Sequence, residues 1–226
     1  VVLEVGTGTG ALSALMAPLA AAGVTVELDR DLFQLAGEEL FQFPNVIQIR
    51  GDALKNKNRL NPEVLDTVFA QVDAAPSRRL KLVANLPYNV ATPILSNLIS
   101  LDRPPHSMTC TIQKELADRI VAQPGTKNYG SLAVWLQSQC RVEILRILGP
   151  SVFWPRPKVS SAFIQITWAP ERAREIPDRA FFHEFARSVF AHRRKLLRNE
   201  LLGSFKMLSK ADVDGLKKFL DLAQQK

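Results

Sequence analysis

Residues 1–31, VVLEVGTGTGALSALMAPLAAAGVTVELDRD, carry the reading that decides the fold. An apolar run, VVLEV, is followed by three glycines at two-residue spacing, Gly6, Gly8 and Gly10. A helix-like stretch, GALSALMAPLAAAG, then ends at Gly23, and a second apolar run, VTVEL, follows. Strand, tight turn, helix and strand in so short a span form one crossover unit, which requires the two strands to lie parallel. The alternation continues with DRDLFQLAGEELFQF and NVIQIR, and three further runs, RLKLVAN, MTCTIQ and SAFIQITW, read as strands. This predicts a doubly wound α/β fold with a parallel sheet covered on both faces. After APERAREIPD (169–178) the pattern changes. RAFFHEFARSVFAHRRKLLRNELL has apolar spacings of three and four and no strand, so a small C-terminal helical domain is expected from about residue 171, after a first domain over 1–170.

Composition bounds the function. The 226 residues are 46% hydrophobic and 23% charged, an ordinary globular balance, and no apolar run is long enough to span a membrane. Cys110 and Cys140 stand alone and the three histidines are scattered, so no metal site is expected. Two isolated cysteines suit a reducing, cytoplasmic setting. No seam or large apolar face is visible, which suggests a monomer. The chain does not begin with Met and reads as a fragment whose opening segment is missing, with no signal peptide. The net charge of +7 is unevenly placed: 16 basic residues face 15 acidic ones through Glu171, and 13 face 7 from Arg172 onward. Such a local positive field attracts polyanions, although a solvated helix surface has the same composition.

In a sheet of this kind ligands bind beyond the carboxyl ends of the strands. At the first end, Gly6, Gly8 and Gly10 allow a tight turn and close approach of backbone to a ligand, ahead of a helix N-terminus. Gly6-x-Gly8-x-x-Ala11 also satisfies the dinucleotide pattern. Glu27 ends the second strand, 21 residues after Gly6, at the distance of an acid that accepts from ribose hydroxyls. These two ends imply an adenosine-containing cofactor, either NAD or S-adenosylmethionine. Asp52, in IRGDAL, could accept from the cofactor's adenine amino group or could simply cap a helix.

The fourth strand end, VANLPYNVATP (83–93), separates the two cofactors. Hydride transfer has no use for an amide, a proline and an aromatic in that order, whereas methylation of an exocyclic base amine does. The lone pair of that amine is delocalised into the ring. A neutral acceptor on Asn85 and a backbone carbonyl held by Pro87 can bond its two hydrogens and favour a pyramidal nitrogen. Tyr88 offers a face for the base, a stack worth roughly 1–3 kcal/mol. Orientation and electrostatics then carry the rate, without a metal or strong base.

With these residues in place the sequence resembles the rRNA adenine dimethyltransferases of the KsgA type, related to the Erm methyltransferases and mitochondrial transcription factor B. LEVGTGTGAL, VELDRDL, GDAL, NLPYNVATP, IQKELADRIVA, KNYGSLAV, VFWPRPKVSSAF and HRRKLLRNEL occur in that family's order, over nearly the whole chain. The resemblance implies a Rossmann-like class I methyltransferase sheet and S-adenosylmethionine-dependent dimethylation of adenines in small-subunit rRNA. It implies that Gly6, Gly8 and Gly10 form the cofactor loop, that Glu27 binds ribose and Asp52 adenine, and that Asn85 touches both cofactor and target amine. Leu86 and Pro87 would supply carbonyls, Tyr88 would stack, and Phe153 would close over the adenine's other face. Arg193, Arg194, Lys195 and Arg198 would contact RNA phosphates in small-subunit particles. Ser160 stands where the family usually has Asp, Trp154 is uncommon there, and residues about 56–79 form a longer insert. The segment before the first strand, which closes over the cofactor in the family, is absent from this sequence. An Erm-type or DNA adenine methyltransferase, and a non-catalytic RNA-binding assembly factor, remain alternatives. Leu86 argues against the DNA enzyme, and intact Asn85 and Tyr88 argue against the assembly factor.

Overall fold

A computed structural model describes residues 1–191 of the chain. Its centre is a seven-stranded sheet built from β1 (Val2–Val5), β2 (Gly23–Glu27), β3 (Val46–Arg50), β6 (Lys81–Asn85), β7 (Ser107–Gln113), β8 (Cys140–Leu148) and β9 (Ser161–Trp168), in the order β3-β2-β1-β6-β7-β9-β8. A separate hairpin joins β4 (Leu54–Asn56) to β5 (Arg59–Leu60). The first five strands of the sheet pair in parallel, as expected from the opening crossover unit. Successive strands are added leftward from β1 to β3 and then rightward from β6, so helices fall on both faces and a crevice opens at the carboxyl ends where that order switches, between the parallel β1 and β6.

The expectation of a wholly parallel sheet fails at one edge. β9 runs antiparallel to both β7 and β8. The connection from β8 to β9, GPSVFWPRPKVS (149–160), holds three prolines and only a three-residue 3-10 turn, so no helix carries the chain back to the far end of the sheet. β8 itself was not anticipated. Its CRVEILRIL interleaves Arg141, Glu143 and Arg146 with apolar residues, as suits an exposed edge strand. The first helix is also shorter than its apolar pattern suggested. α1 (Ala11–Met16) gives way to a 3-10 turn over Ala17–Leu19, because Pro18 has no N–H to continue the ladder.

The remaining helices are α2 (Arg30–Leu40), α3 (Pro62–Asp73), α4 (Ala91–Ser100), α5 (Lys114–Ile120), α6 (Ser131–Gln137), α7 (Pro170–Ala173) and α8 (Arg179–Ala191). Much of the 56–79 insert is therefore β5 and α3. α3 buries Val64, Val68 and Val72, one face at four-residue spacing. α4 sinks Ile94, Leu95, Leu98 and Ile99 almost completely, against Leu82, Met108 and Ile112 in the same core. The burial of α4 fixes the position of the loop 86–90 before it. α8 packs on α6, where the His183 ring stacks on Trp135 at 4.3 Å. Arg179 donates from Nε to Gln139 at 2.6 Å and from Nη1 to the Leu101 carbonyl, just past α4, at 3.1 Å.

Candidate active site

The glycine turn after β1 is built as its sequence demands. Gly6, Gly8 and Gly10 all have positive φ, at 81°, 57° and 87°. Only glycine adopts this conformation without strain. A Cβ on Gly6 would lie 3.0 Å from the ring of Pro87, and one on Gly10 would lie 3.2 Å from the backbone of Ala36. Gly6 thus lets the first strand end meet the fourth, whereas Gly10 lets α1 approach α2. Beneath the turn is a buried polar chain: Ser13 donates to Glu4, and the Thr7 and Thr25 hydroxyls bond one another. Burial pushes the Glu4 carboxyl up to about 7, against the opposing hydrogen bonds from Ser13 and Thr25.

Glu27 is buried, and its carboxylate organises the turn. Oε2 accepts from the Gly8 N–H at 2.8 Å and Oε1 from the Asp29 N–H at 3.0 Å. Each oxygen keeps a second lone pair for a ligand hydroxyl. Asp29 caps α2, accepting from the N–H groups of Asp31 and Leu32 at 2.9 Å each. Asp52 caps no helix, which removes that reading of it. Its Oδ1 accepts from the Leu54 N–H at 2.8 Å in the turn that opens the β4–β5 hairpin, and its Oδ2 takes no bond from the described residues.

Gly6, Glu27, Asp52 and Pro87 line one cleft of about 540 Å³. Leu28, Val90 and Ile94 add apolar wall. The sequence reading missed these three. Leu28 carried a signal, as an apolar residue directly after a ribose-binding acid, and it is 69% exposed. Two carboxylate acceptors, a glycine turn and apolar flanks suit a nucleoside. Hydroxyls and an exocyclic amine would be bonded at the rims, with a flat ring held between side chains. S-adenosylmethionine fits this residue set. A larger groove of about 1010 Å³ adjoins the cleft, sharing Asp52, Asn89 and Val90 and running past Lys55 and Lys57 of the hairpin.

Asn85, Leu86, Tyr88 and Phe153 lie on the same carboxyl-end rim but outside the lining of that cleft. Asn85 ends β6, in register with Thr111, and its exposed amide makes no bond to the described residues. Leu86 is buried, and its N–H donates to the Thr111 carbonyl at 3.1 Å. Its carbonyl accepts nothing from the described residues. The Pro87 carbonyl, in contrast, already accepts from the Val90 N–H at 3.1 Å. Of the two carbonyls expected here, that of Leu86 is thus the one without a hydrogen-bond partner among the described residues. The Tyr88 hydroxyl bonds Ser161 Oγ at 2.7 Å, a partner 73 residues away that no local pattern could reveal. Phe153 is half-buried in the β8–β9 loop. Cys110 and Cys140 are buried in β7 and β8, and burial pushes the Cys140 thiol up to about 12. Arg193, Arg194, Lys195 and Arg198 lie outside the described residues.

The chain is 41% identical, over 207 residues, to "Ribosomal RNA small subunit methyltransferase A" of Listeria monocytogenes serotype 4a, covering 92% of this chain and 68% of that protein. It is 38% identical over 222 residues to the protein of the same name from Streptococcus pneumoniae strain CGSP14, covering 98% and 73%. Among solved structures, a dimethyladenosine transferase from Plasmodium falciparum superposes with a TM-score of 0.73 at 25% identity, covering 92% of this chain and 70% of that one. The 23S rRNA methyltransferase ErmE shares the fold, with a TM-score of 0.63 at 21% identity over 91% and 76% of the two chains. The family model described as "Ribosomal RNA adenine dimethylase" matches residues 1–219, and the chain belongs to that family.

Proposed function

We propose that this chain transfers methyl groups from S-adenosylmethionine to the exocyclic amine of adenines in small-subunit rRNA, twice at each target nitrogen. The observation that carries the reading is the Gly6–Pro87 contact. It sets a cleft suited to a nucleoside, with Glu27 and Asp52, directly beside a rim where the neutral acceptors of Asn85 and Leu86 have no hydrogen-bond partner among the described residues. The names of the relatives, and the 41% identity to one of them, point to the same substrate.

In this reading Gly6 and Gly8 bring backbone against the cofactor, Gly10 keeps α1 close to α2, Glu27 accepts from ribose hydroxyls and Asp52 from the adenine amine. The bound cofactor supplies an electrophilic methyl on a sulfonium. The Asn85 side-chain oxygen and the Leu86 carbonyl, seconded by Pro87, each accept one hydrogen of the target amine. That draws its lone pair out of conjugation and aims it across the rim. Tyr88, fixed by Ser161, and Phe153 hold the two faces of the base. After the new N–C bond forms, the nitrogen loses a proton to water, which reaches the exposed Asn85. Residues 1–170 act as the catalytic domain. Residues 171–226 act as a helical RNA-binding domain, with Arg193, Arg194, Lys195 and Arg198 on phosphates, and the protein works as a monomer. Labelled S-adenosylmethionine incubated with small-subunit particles lacking the modification should yield labelled dimethyladenosine. Label appearing only on large-subunit rRNA would favour the Erm-type reading, and none on any RNA would favour an assembly factor.

A further inference from the structure

We propose that Trp154 is a stacking platform for a base flanking the target adenine in a single-stranded RNA segment, with Arg156 and Lys158 on the adjoining phosphates. The inference rests on the rRNA-methylation reading and extends its substrate contacts.

Topology places the loop. β8 ends at Leu148, opposite Ser161, and β9 begins at Ser161, opposite Gln113 at the end of β7. Because β9 is antiparallel to β7, residues 149–160 emerge at the carboxyl-end rim, where Asn85 and Tyr88 sit. Two bonds anchor the loop there: Tyr88 to Ser161 at 2.7 Å, and the Lys114 N–H to the Ser160 carbonyl at 3.0 Å. Trp154 is the neighbour of Phe153, yet it is 94% exposed. One exposed apolar side chain needs no explanation. Here Val152, Trp154 and Val159 are all exposed in one short loop whose sequence contains Arg156 and Lys158 and no acid. Neither cation has a partner among the described residues. Pro150, Pro155 and Pro157 restrict the backbone, so the indole is held out at little further entropic cost on binding. An aromatic flanked by uncompensated cations, on the rim where an unpaired adenine must enter, matches single-stranded nucleic acid. Every base offers a π-face and every linkage a phosphate.

The test uses the full chain as wild type, Trp154→Ala and Trp154→Phe. Methyl transfer to unmethylated small-subunit particles is measured at saturating S-adenosylmethionine and varied particle concentration. Intrinsic fluorescence is followed on adding an adenine-containing single-stranded RNA oligonucleotide. Trp154→Ala should raise KM for the particles by about five- to a hundredfold, the loss of one base stack. Its kcat, cofactor affinity and Tm should stay near wild type, and Trp154→Phe should restore most of the KM. The oligonucleotide should quench wild-type fluorescence but not that of Trp154→Phe, because Trp135 is buried and the Arg179 guanidinium covers the Trp168 ring at 5.1 Å. An unchanged KM in Trp154→Ala, or equal quenching by a polyglutamate peptide, would overturn the proposal. Wild type that labels no RNA would sink the functional reading instead, and the quenching would still decide whether Trp154 stacks.

Discussion

Gly6→Ala tests whether the cofactor turn and the catalytic rim are physically one unit. Two costs add at this position. The backbone has φ of 81°, in the left-handed region, which costs an L-residue about 1–2 kcal/mol. The added methyl would also lie 3.0 Å from both Cγ and Cδ of Pro87, a rigid ring that cannot swing aside. Relieving that overlap should cost about 1–3 kcal/mol more, the range for overpacked sites. Gly8→Ala provides the control. Its φ of 57° carries the same backbone cost, but nothing lies within 4 Å of its Cβ. Denaturant unfolding of wild type and both variants, with calorimetry of S-adenosylhomocysteine binding, separates the two costs. Gly6→Ala should be less stable than Gly8→Ala by about 1–3 kcal/mol. If it stays folded, it should also lose methyl transfer disproportionately, because the displaced group is Pro87 and Asn85 and Leu86 move with it. Equal stability and equal transfer in the two variants would refute the coupling.

Other perturbations probe separate parts. Asn85→Ala should leave folding near wild type and slow transfer by roughly 10²–10³, the loss of one aligned bond in the transition state; single-turnover labelling at saturating S-adenosylmethionine checks it. Glu4 holds its proton in the folded state up to about pH 7, whereas the unfolded chain loses it near 4.5. The native state therefore binds the extra proton between those values, and stability falls as pH rises through that window, by up to about 3 kcal/mol. Glu4→Gln should flatten this slope in denaturation curves taken from pH 4 to pH 8. Arg194→Glu with Arg198→Glu should weaken binding to ribosomal particles and lower the dependence of log affinity on log salt by roughly 0.7–0.9 per lost phosphate contact. An unaltered slope, measured at three salt concentrations, would assign the RNA to another face.

The parts of the fold legible in the sequence are those whose local chemistry leaves no alternative. VVLEV, the three glycines and VELD specify strand, tight turn and strand whatever surrounds them, and all three glycines do adopt positive φ. Asn85 could be placed at a strand end because Pro87 cannot continue a central strand. Other features depend on the rest of the molecule. β8 escaped notice because an edge strand exposes one side of its ladder and tolerates charge, so CRVEILRIL lacks the unbroken apolar run of the parallel strands. The reversal of β9 follows from a loop that cannot form a helix, which becomes visible only once β8 is recognised. Asp52 lines the cleft, but its turn is set by the hairpin that follows. The Tyr88–Ser161 bond is purely tertiary. Trp154 stood out in the sequence only as unusual for its position, and its placement needed the strand order.

On the proposed function, the distribution of charge over the cleft and rim is consistent with a motif that holds no strong base. Glu27 and Asp52 lie at the ends of β2 and β3, where a nucleoside presents neutral donors, hydroxyls and an amine, to which an ionised acceptor bonds most strongly. The rim from Asn85 to Pro93 carries no charged side chain at all. Methyl transfer would move the donor's positive charge from sulfur to the target nitrogen, which sheds its proton only after the new bond has formed. Neutral acceptors are sufficient for that order of events. In the proposed reaction they would bond the amine hydrogens and orient the lone pair, and the nitrogen would lose its proton to water afterwards. Leu86, buried and tied to Thr111, has its backbone held in place, so in the proposed reaction its carbonyl would orient the amine without contributing a charge.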